Sequence, residues 1–472
     1  MGYKSGSYKF LFPLFIFFAA LVLISCEKEE MFNDQSARLV FSSDTILFDT
    51  VFSTIGSSTR HFKVYNPYDK NLEISSIILS GGENSSYRIN VDGISGHEFV
   101  NVLLRKRDSI YIFVETTIDP LKSNSPIIVE DSIVFVTNGN TQDVKLLSWG
   151  QDVKVIRGET FETATLTAEK PYLVYDYLLV DTGHVLTLSP GVKMHFASDS
   201  RLLVAGTIIV AGNPDNPVVF EGARTEREYR NIPGQWEGIW LMPVSTGNRF
   251  VNARIRNAFN GIVVDPGASE SDPKLHLAGS RIENMTYAGI FARDAVIYSF
   301  NTVINNCGHY ALALTRGGDY TFYHTTITNY WRLSPRLLPS VHIENYYYDS
   351  SGNRLLSPVT AVFGNSIIHG SQSNELGFHI DQQGGFDVTF DHSLLKTGNN
   401  TQIPVKFKNC IFGLPPEFVD PGKYNFELTG DSPALNTGNP DISRLHPLDY
   451  NGRARPFGDG PDMGAFERHP ED

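Results

Sequence analysis

The sequence predicts an all-β protein: a parallel β-helix, a solenoid of stacked coils, that follows a separate β-sandwich in the chain. Three observations carry this prediction. Residues 185–222 hold four short apolar runs, 185–188, 192–196, 202–210 and 218–220, punctuated by Pro190-Gly191, Gly206, Gly212, Asn213-Pro214 and Asn216-Pro217. Runs this short and rich in β-branched residues are strands, and no two-residue hairpin signal joins them. Next, Ile255-Arg256-Asn257 recurs as Ile282-Glu283-Asn284, Ile304-Asn305-Asn306 and Ile327-Thr328-Asn329, at intervals of 27, 22 and 23 residues, with Gly261-Ile262, Gly289-Ile290 and Ala311-Leu312 in step. A period in the twenties without a helical 3.6-residue pattern marks a strand solenoid, whose repeats bury their apolar faces against their neighbours. Finally, residues 38–152 show strand-like runs at sandwich spacing, separated by Asn66-Pro67, Gly81-Gly82, Asp119-Pro120 and Asn138-Gly139-Asn140.

Composition sets the outer bounds. With 472 residues, 41% of them hydrophobic, the chain has material for a large core and two or three domains. Lys+Arg number 39 against Asp+Glu 52, a formal charge of −13, and no basic cluster stands out. That balance argues against nucleic acid as a partner. It also disfavours an anionic polysaccharide unless a local basic groove overrides it.

At the N-terminus, Lys4 and Lys9 lead into an apolar run from Phe10 to Ile24, the length of a signal-peptide core and short for a membrane span. The run closes on Leu23-Ile24-Ser25-Cys26, which resembles the bacterial lipobox. The resemblance implies that residues 1–25 are a lipoprotein signal peptide and that Cys26 is lipidated, several acyl chains giving lasting attachment. A cleaved secretory signal with a chance cysteine is the alternative. Residues 26–37 form an acidic tether whose Glu27-Lys28-Glu29-Glu30 resembles the surface-export signal of Bacteroidetes lipoproteins; a plain solvated linker is the alternative. The expected location is the outer membrane, lipid-anchored and exposed on the cell surface. Removing residues 1–25 takes two lysines and moves the formal charge from −13 to −15.

Cys307 and Cys410 remain, too few for a disulfide framework. Each follows an asparagine, Asn306 and Asn409, so both are expected at equivalent buried positions on different coils, as small core hydrophobes. No Cys/His spacing indicates zinc.

In residues 38–152 the order Phe-x-Val-x-Asn, Leu-x-Ile and Ile-Asp-Pro resembles Ig-like domains of the Hydin type. The resemblance implies a spacer or docking module without catalytic residues. Asp44-Thr45-Ile46, Asp49-Thr50-Val51, Asp108-Ser109-Ile110 and Asp131-Ser132-Ile133 resemble the Bacteroidetes O-glycosylation sequon; ordinary alternation at strand starts explains them equally.

Residues 153–412 are the β-helix. The opening stretch, Trp236-Glu237-Gly238-Ile239-Trp240 and the Ile-x-Asn repeats resemble bacterial right-handed parallel β-helix proteins of the pectin-lyase-like superfamily. Residues 413–472 are expected to cap it. Asp431-Ser432-Pro433-Ala434-Leu435-Asn436-Thr437-Gly438, Asp449-Tyr450-Asn451-Gly452-Arg453 and Pro461-Asp462-Met463-Gly464-Ala465-Phe466-Glu467 resemble the closing segment of such proteins. The resemblance implies fold and not activity, since that superfamily spans lyases, hydrolases, adhesins and structural shafts.

Within the helix, Asn257, Asn284, Asn306 and Asn329 are expected to stack as an internal amide ladder. Asn365, His392 and Asn409 take one equivalent position in three later repeats, making His392 a ladder residue. Catalytic candidates are His379, Asp381, Asp387 and Asp391, which alternation turns outward from Phe378, Ile380, Phe386, Val388 and Phe390. Carboxylates with a histidine suit acid–base work on a sugar or calcium, or are simply a solvated face. No arginine or lysine lies on these strands for a uronate, and no cofactor or metal is expected.

Binding candidates come from a break in the repeat. Asn329 to Asn365 spans 36 residues, and the excess carries Tyr330, Trp331, Arg332, Arg336, His342, Tyr346, Tyr347, Tyr348 and Arg354. Solenoid insertions become loops, often on the binding face, and rings suit a sugar or a protein partner; folding back to cover the helix is the alternative. A lesser candidate is the charged run from Arg224 to Arg230 beside Trp236. The expected function is display of the β-helix face and its aromatic loop to a glycan or surface protein, without catalysis. A polysaccharide lyase or glycoside hydrolase is the second possibility, and a structural part of an outer-membrane assembly the third.

Overall fold

A computed structural model describes residues 30–52, 57–117, 127–267, 272–397 and 404–469. The signal peptide, Cys26 and the start of the acidic run lie outside the described residues, as does Ile118-Asp119-Pro120. The chain divides into two units after Gln151.

A strand with alternate apolar residues needs a surface for its apolar side, and in the first unit two sheets supply it to each other. One sheet orders Val40–Phe41, Arg60–Tyr65, Ser109–Thr116, Tyr87–Val91 and Ile94–Gly96, all antiparallel. The other orders Thr45–Phe52, Asn140–Gln151, Ile127–Thr137, Leu72–Leu79 and Glu98–Leu104, with its first pair parallel. Phe62, Val64 and Ile112 from one sheet and Ile46, Ile77 and Phe135 from the other share one core, the defining feature of a β-sandwich.

The second unit is a parallel β-helix. Each full coil contributes a strand to three parallel faces in the chain order A, B, C. Face A stacks Arg201–Val204, Gly238–Leu241, Asn260–Val264, the first halves of Ala288–Phe300 and Tyr310–Tyr323, then Val341–Glu344 and Leu376–His379. Face B stacks Thr207–Ala211, Asn248–Val251, Leu275–Ala278, the second halves of the two long strands, then Val359–Gly364, Phe386–Asp391 and Val405–Lys408. Face C runs from Lys193–Phe196 through Val218–Gly222, Ala253–Arg256, Arg281–Met285, Val303–Cys307, Thr326–Asn329 and Ile367–Gly370 to Ile411–Phe412. Inward side chains such as Leu202, Ile239, Ile262, Ile290, Leu312 and Val341 fill one continuous core.

The corners explain the asparagines. Asn257, Asn284 and Asn306 turn the chain from face C to face A in the left-handed region, with φ of 62°, 61° and 56°, which asparagine tolerates better than other side chains. Their amides form the expected ladder: Asn284 Nδ2 donates to Asn257 Oδ1 at 3.3 Å, and Asn306 Nδ2 donates to Asn284 Oδ1. Asn329 departs from it and instead bonds both backbone groups of Cys307.

Three expectations need correction. Ile367 pairs with Thr326, so Asn365 is level with His324 and not with Asn329. Asn301, His324, Asn365, His392 and Asn409 form a second ladder at the B-to-C corner, again left-handed. Asn365 Nδ2 lies 3.1 Å from His324 Nε2, and Asn409 Nδ2 lies 3.2 Å from His392 Nε2. Accordingly Cys307, buried at the end of a face C strand, and Cys410, half-buried at that other corner, are not equivalent.

The excess after Asn329 is not one loop either. It contains the face A strand Val341–Glu344, with a loop before it and the hairpin Tyr346–Tyr348/Arg354–Leu356 after it. The leading loop folds back onto the helix, held by Arg336 Nη2 on Glu375 Oε1 at 2.6 Å, both side chains buried.

The C-terminal segment runs along the side of the β-helix. Phe418, Phe426, Met463 and Phe466 cluster with Val303, Ile367 and Leu394, whose side chains point outward from face C. Gly464 N donates to Asn365 O at 2.7 Å and Ala465 N to Thr326 Oγ1 at 2.9 Å. Outward apolar residues on face C would otherwise form an exposed patch, so the segment covers a flank of the β-helix.

Candidate functional site

Face A carries a different outward surface. Inward Ile239, Leu241, Ile290 and Ala292 leave Trp240 and Phe291 pointing out. Register stacks Trp240, Val263, Phe291, Ala313, His342 and Gly377 in one outward column. Five steps between neighbouring strands make that column about 24 Å long.

Rings join it sideways. At the C-to-A corner Phe259 stacks on Tyr287 at 5.9 Å, and Tyr287 meets His309 at 4.8 Å. Tyr287 also touches Phe291 and Tyr310, and Tyr310 lies 5.3 Å from His342. Trp240 is 37% exposed and Phe259 is exposed. The Tyr310 phenol is held above its ordinary value by burial and then by Tyr287 and Glu344, so it stays a neutral hydrogen-bond donor.

Polar groups flank the rings. Trp240 Nε1 donates to Asp265 Oδ2 at 2.7 Å, and Arg293 Nη1 pairs with Asp265 Oδ1 at 2.9 Å while its guanidinium lies over Phe291. His342 and Glu344 share the outward side of one strand, with Nε2 and Oε2 3.3 Å apart. His379 is directly opposite Glu344 on the next strand, its Nδ1 3.8 Å from Oε2. These three could hold a metal ion: their ligand atoms lie within 4.8 Å of one another.

The catalytic candidates do not form one site. His379 ends a face A strand and Asp381 follows at the A-to-B corner, paired with Arg354, while Asp387 and Asp391 lie on face B. Asp387 pairs with Lys406 at 2.8 Å from the neighbouring coil, a cation that sequence order hid. Asp391 accepts from Asn439 and contacts the ladder residue His392. The outward columns of face A hold Asp265 and Glu344, three coils or about 14 Å apart. Hydrolase carboxyl pairs stand roughly 5 to 9.5 Å apart.

The binding candidates divide too. Trp331 is only 8% exposed, and its indole donates to Ser334 Oγ, so it packs the folded-back loop and offers no ring to a ligand. Arg332 is exposed on the other side, lining a cavity of about 320 Å³ over face C with Tyr330, Asn305, Thr328 and Tyr424. Tyr346, Tyr347 and Tyr348 stand on the hairpin beside face A, Tyr348 being 60% exposed; Arg354 covers Tyr346 and Arg316 covers Tyr347. The 224–230 run folds down, with Arg224 over Tyr229 and Arg230 O accepting from Asn257. Trp236 is core, stacked on Phe196 at 4.1 Å. Sequence reasoning missed Trp240 as a surface ring, and Phe259, Asp265, Tyr287, Phe291, Arg293, Tyr310 and Glu344 altogether. Parity with the inward aliphatics was the available signal.

No family model and no curated protein matches the sequence. Solved structures that resemble parts of it do so loosely. The catalytic domain of a GH87 alpha-1,3-glucanase in complex with tetrasaccharides is 10% identical over 79% of this chain and 90% of that one, with a TM-score of 0.23. A family 123 glycoside hydrolase from Clostridium perfringens is 7% identical over 25% of this chain, which spans only 30% of its length, with a TM-score of 0.18. PapD-like domain 7 of human CEP192 is 12% identical over 27% of this chain and 94% of that domain, with a TM-score of 0.17. At these scores the likenesses identify neither activity nor ligand.

Proposed function

We propose that this protein is a lipid-anchored surface protein of an outer membrane that binds a glycan along face A without turning it over. The observation that carries the reading is the ring stripe of Trp240, Phe259, Tyr287, Phe291 and Tyr310, on the face whose outward rings stay accessible while the C-terminal segment packs on face C. Flat rings with polar neighbours suit the apolar faces and hydroxyl edges of sugars. Charges of both signs along the stripe, on a chain of formal charge −13, favour a neutral glycan over a polyanion. The separation of Asp265 from Glu344 supports binding over hydrolysis. The lipobox-like Leu23-Ile24-Ser25-Cys26 and the acidic residues after it support the anchor and the surface location, and the sandwich suits a spacer. The test is a screen of the purified protein against glycan arrays and soluble polysaccharides, scored for binding and for product release. Binding without products, lost in Trp240→Ala and Tyr310→Ala, is expected. Unsaturated or reducing-end products that disappear in Glu344→Gln would make the protein an enzyme and overturn the reading.

A further inference from the structure

We propose that His342, Glu344 and His379 form a binding site for one divalent first-row transition-metal ion of the zinc type. The site was invisible to local spacing, which indicated no metal. Winding creates it: His342 and Glu344 lie two residues apart on one strand and so face the same way, and register sets His379 across from Glu344 on the next coil.

The geometry fits the ion. Zinc binds imidazole nitrogen and carboxylate oxygen at about 2.0–2.2 Å in a tetrahedron, so its ligand atoms lie roughly 3.3–3.5 Å apart. Here His342 Nε2 and Glu344 Oε2 are 3.3 Å apart, and His379 Nδ1 is 3.8 Å from the same oxygen. The two imidazoles meet edge to face at 4.7 Å between centroids. The His379 side chain is 63% exposed, which leaves its ring room to turn toward the other two ligands.

The first imidazole is packed against its neighbours. Gly377 is opposite His342 in the register, and a Cβ there would sit 2.5 Å from Pro339 Cγ and 3.6 Å from His342 Nδ1. A side chain at 377 would clash with Pro339, while the imidazole of His342 lies at ordinary contact distance. Tyr310 borders it on the preceding coil. Two histidines and a glutamate match the donor set of open zinc sites, which leaves a fourth position for water or a ligand oxygen; the exposed His379 puts that opening on the solvent side. Imidazole donors also exclude calcium and magnesium as the preferred ion. The inference stands independently of glycan binding, because it is read from the ion itself.

The experiment is calorimetric titration of Zn²⁺ into the purified protein freed of metal by chelation, repeated with His379→Ala and Glu344→Gln, and with Co²⁺ for its visible absorption. The control is Asp387→Ala on face B. One ion per chain is expected, with binding about tenfold or more weaker in both site variants and unchanged in the control. Co²⁺ should give d–d bands that vanish in His379→Ala. Because His379 is exposed, that variant keeps its thermal transition without metal. Absence of one-to-one binding, or equal affinity in wild type and His379→Ala, would overturn the proposal.

Discussion

Replacing Glu375 by alanine should destabilise the β-helix unit by roughly 3–5 kcal/mol, because it leaves a buried guanidinium without its counter-charge. Arg336 and Glu375 have essentially no exposed side-chain surface and meet through two bonds of 2.6 and 2.9 Å. Arg336 also donates to Leu338 O and Asn329 O, and Glu375 also accepts from Ser340 N, Ser340 Oγ and Gln372 N. The pair thus closes the loop that delivers the chain to Val341–Glu344. Loss of the carboxylate should loosen that strand and, with it, His342 and Glu344. Urea unfolding gives the stability, and hydrogen exchange over residues 330–344 locates the loss. In a double-mutant cycle, Arg336→Met with Glu375→Leu should cost less than the sum of the single changes, since neither partner is then left charged and alone. A single-variant cost below about 1 kcal/mol, or simple additivity, would mean that the buried pair does not hold this loop.

Acid should loosen the C-terminal segment and the coils of the β-helix together. Burial, with Arg455 second, lowers His446 to about 4 and holds His324 well below its usual value, and burial with Lys396 lowers His369 to about 4. A histidine whose folded pKa is depressed is kept neutral by the fold, so stability is intact above about pH 6.5 and falls as pH drops toward 4, by up to about 1.4 kcal/mol per pH unit per histidine. Burial raises Asp462 and Glu467, which partly offsets the loss. Melting temperatures and proteolysis of residues 413–469 across that window test this, and a flat profile would contradict it. Asn284→Ala should cost about 1–3 kcal/mol, because Asn257 Oδ1 loses its donor and the Asn306 amide and Tyr424 hydroxyl lose their shared acceptor, and denaturant midpoints should show it. Trp331→Ala should lower the midpoint by a core-type cost of about 3–5 kcal/mol and leave glycan affinity unchanged.

How much could be read from the sequence follows from which forces act locally. Strand identity and winding were legible because alternation and turn residues are short-range signals. The first ladder was legible because asparagine at a left-handed corner repeats with the coil. The same conformational need at two corners caused the misalignment, since Asn365 answers it as well as Asn329 would. Alternation correctly turned His379, Asp387 and Asp391 outward, yet direction along a strand does not say which face the strand joins. Loops of unequal length set that, and they bring His342 and His379 together across 37 residues. The buried Trp331 and the outward Trp240 show the limit of ring chemistry alone: both are large amphipathic rings, and only packing decides which one meets solvent.

Face A is proposed to bind sugar through its exposed rings. The most direct test is the affinity of a neutral oligosaccharide taken from the array, measured calorimetrically on wild type, Trp240→Ala, Tyr310→Ala and Trp331→Ala. A loss of a few-fold to about tenfold is expected for the two face A variants, since a stacked ring is worth roughly 0.5–1.5 kcal/mol, with wild-type affinity for folded Trp331→Ala. Unchanged binding in Trp240→Ala and Tyr310→Ala would contradict it.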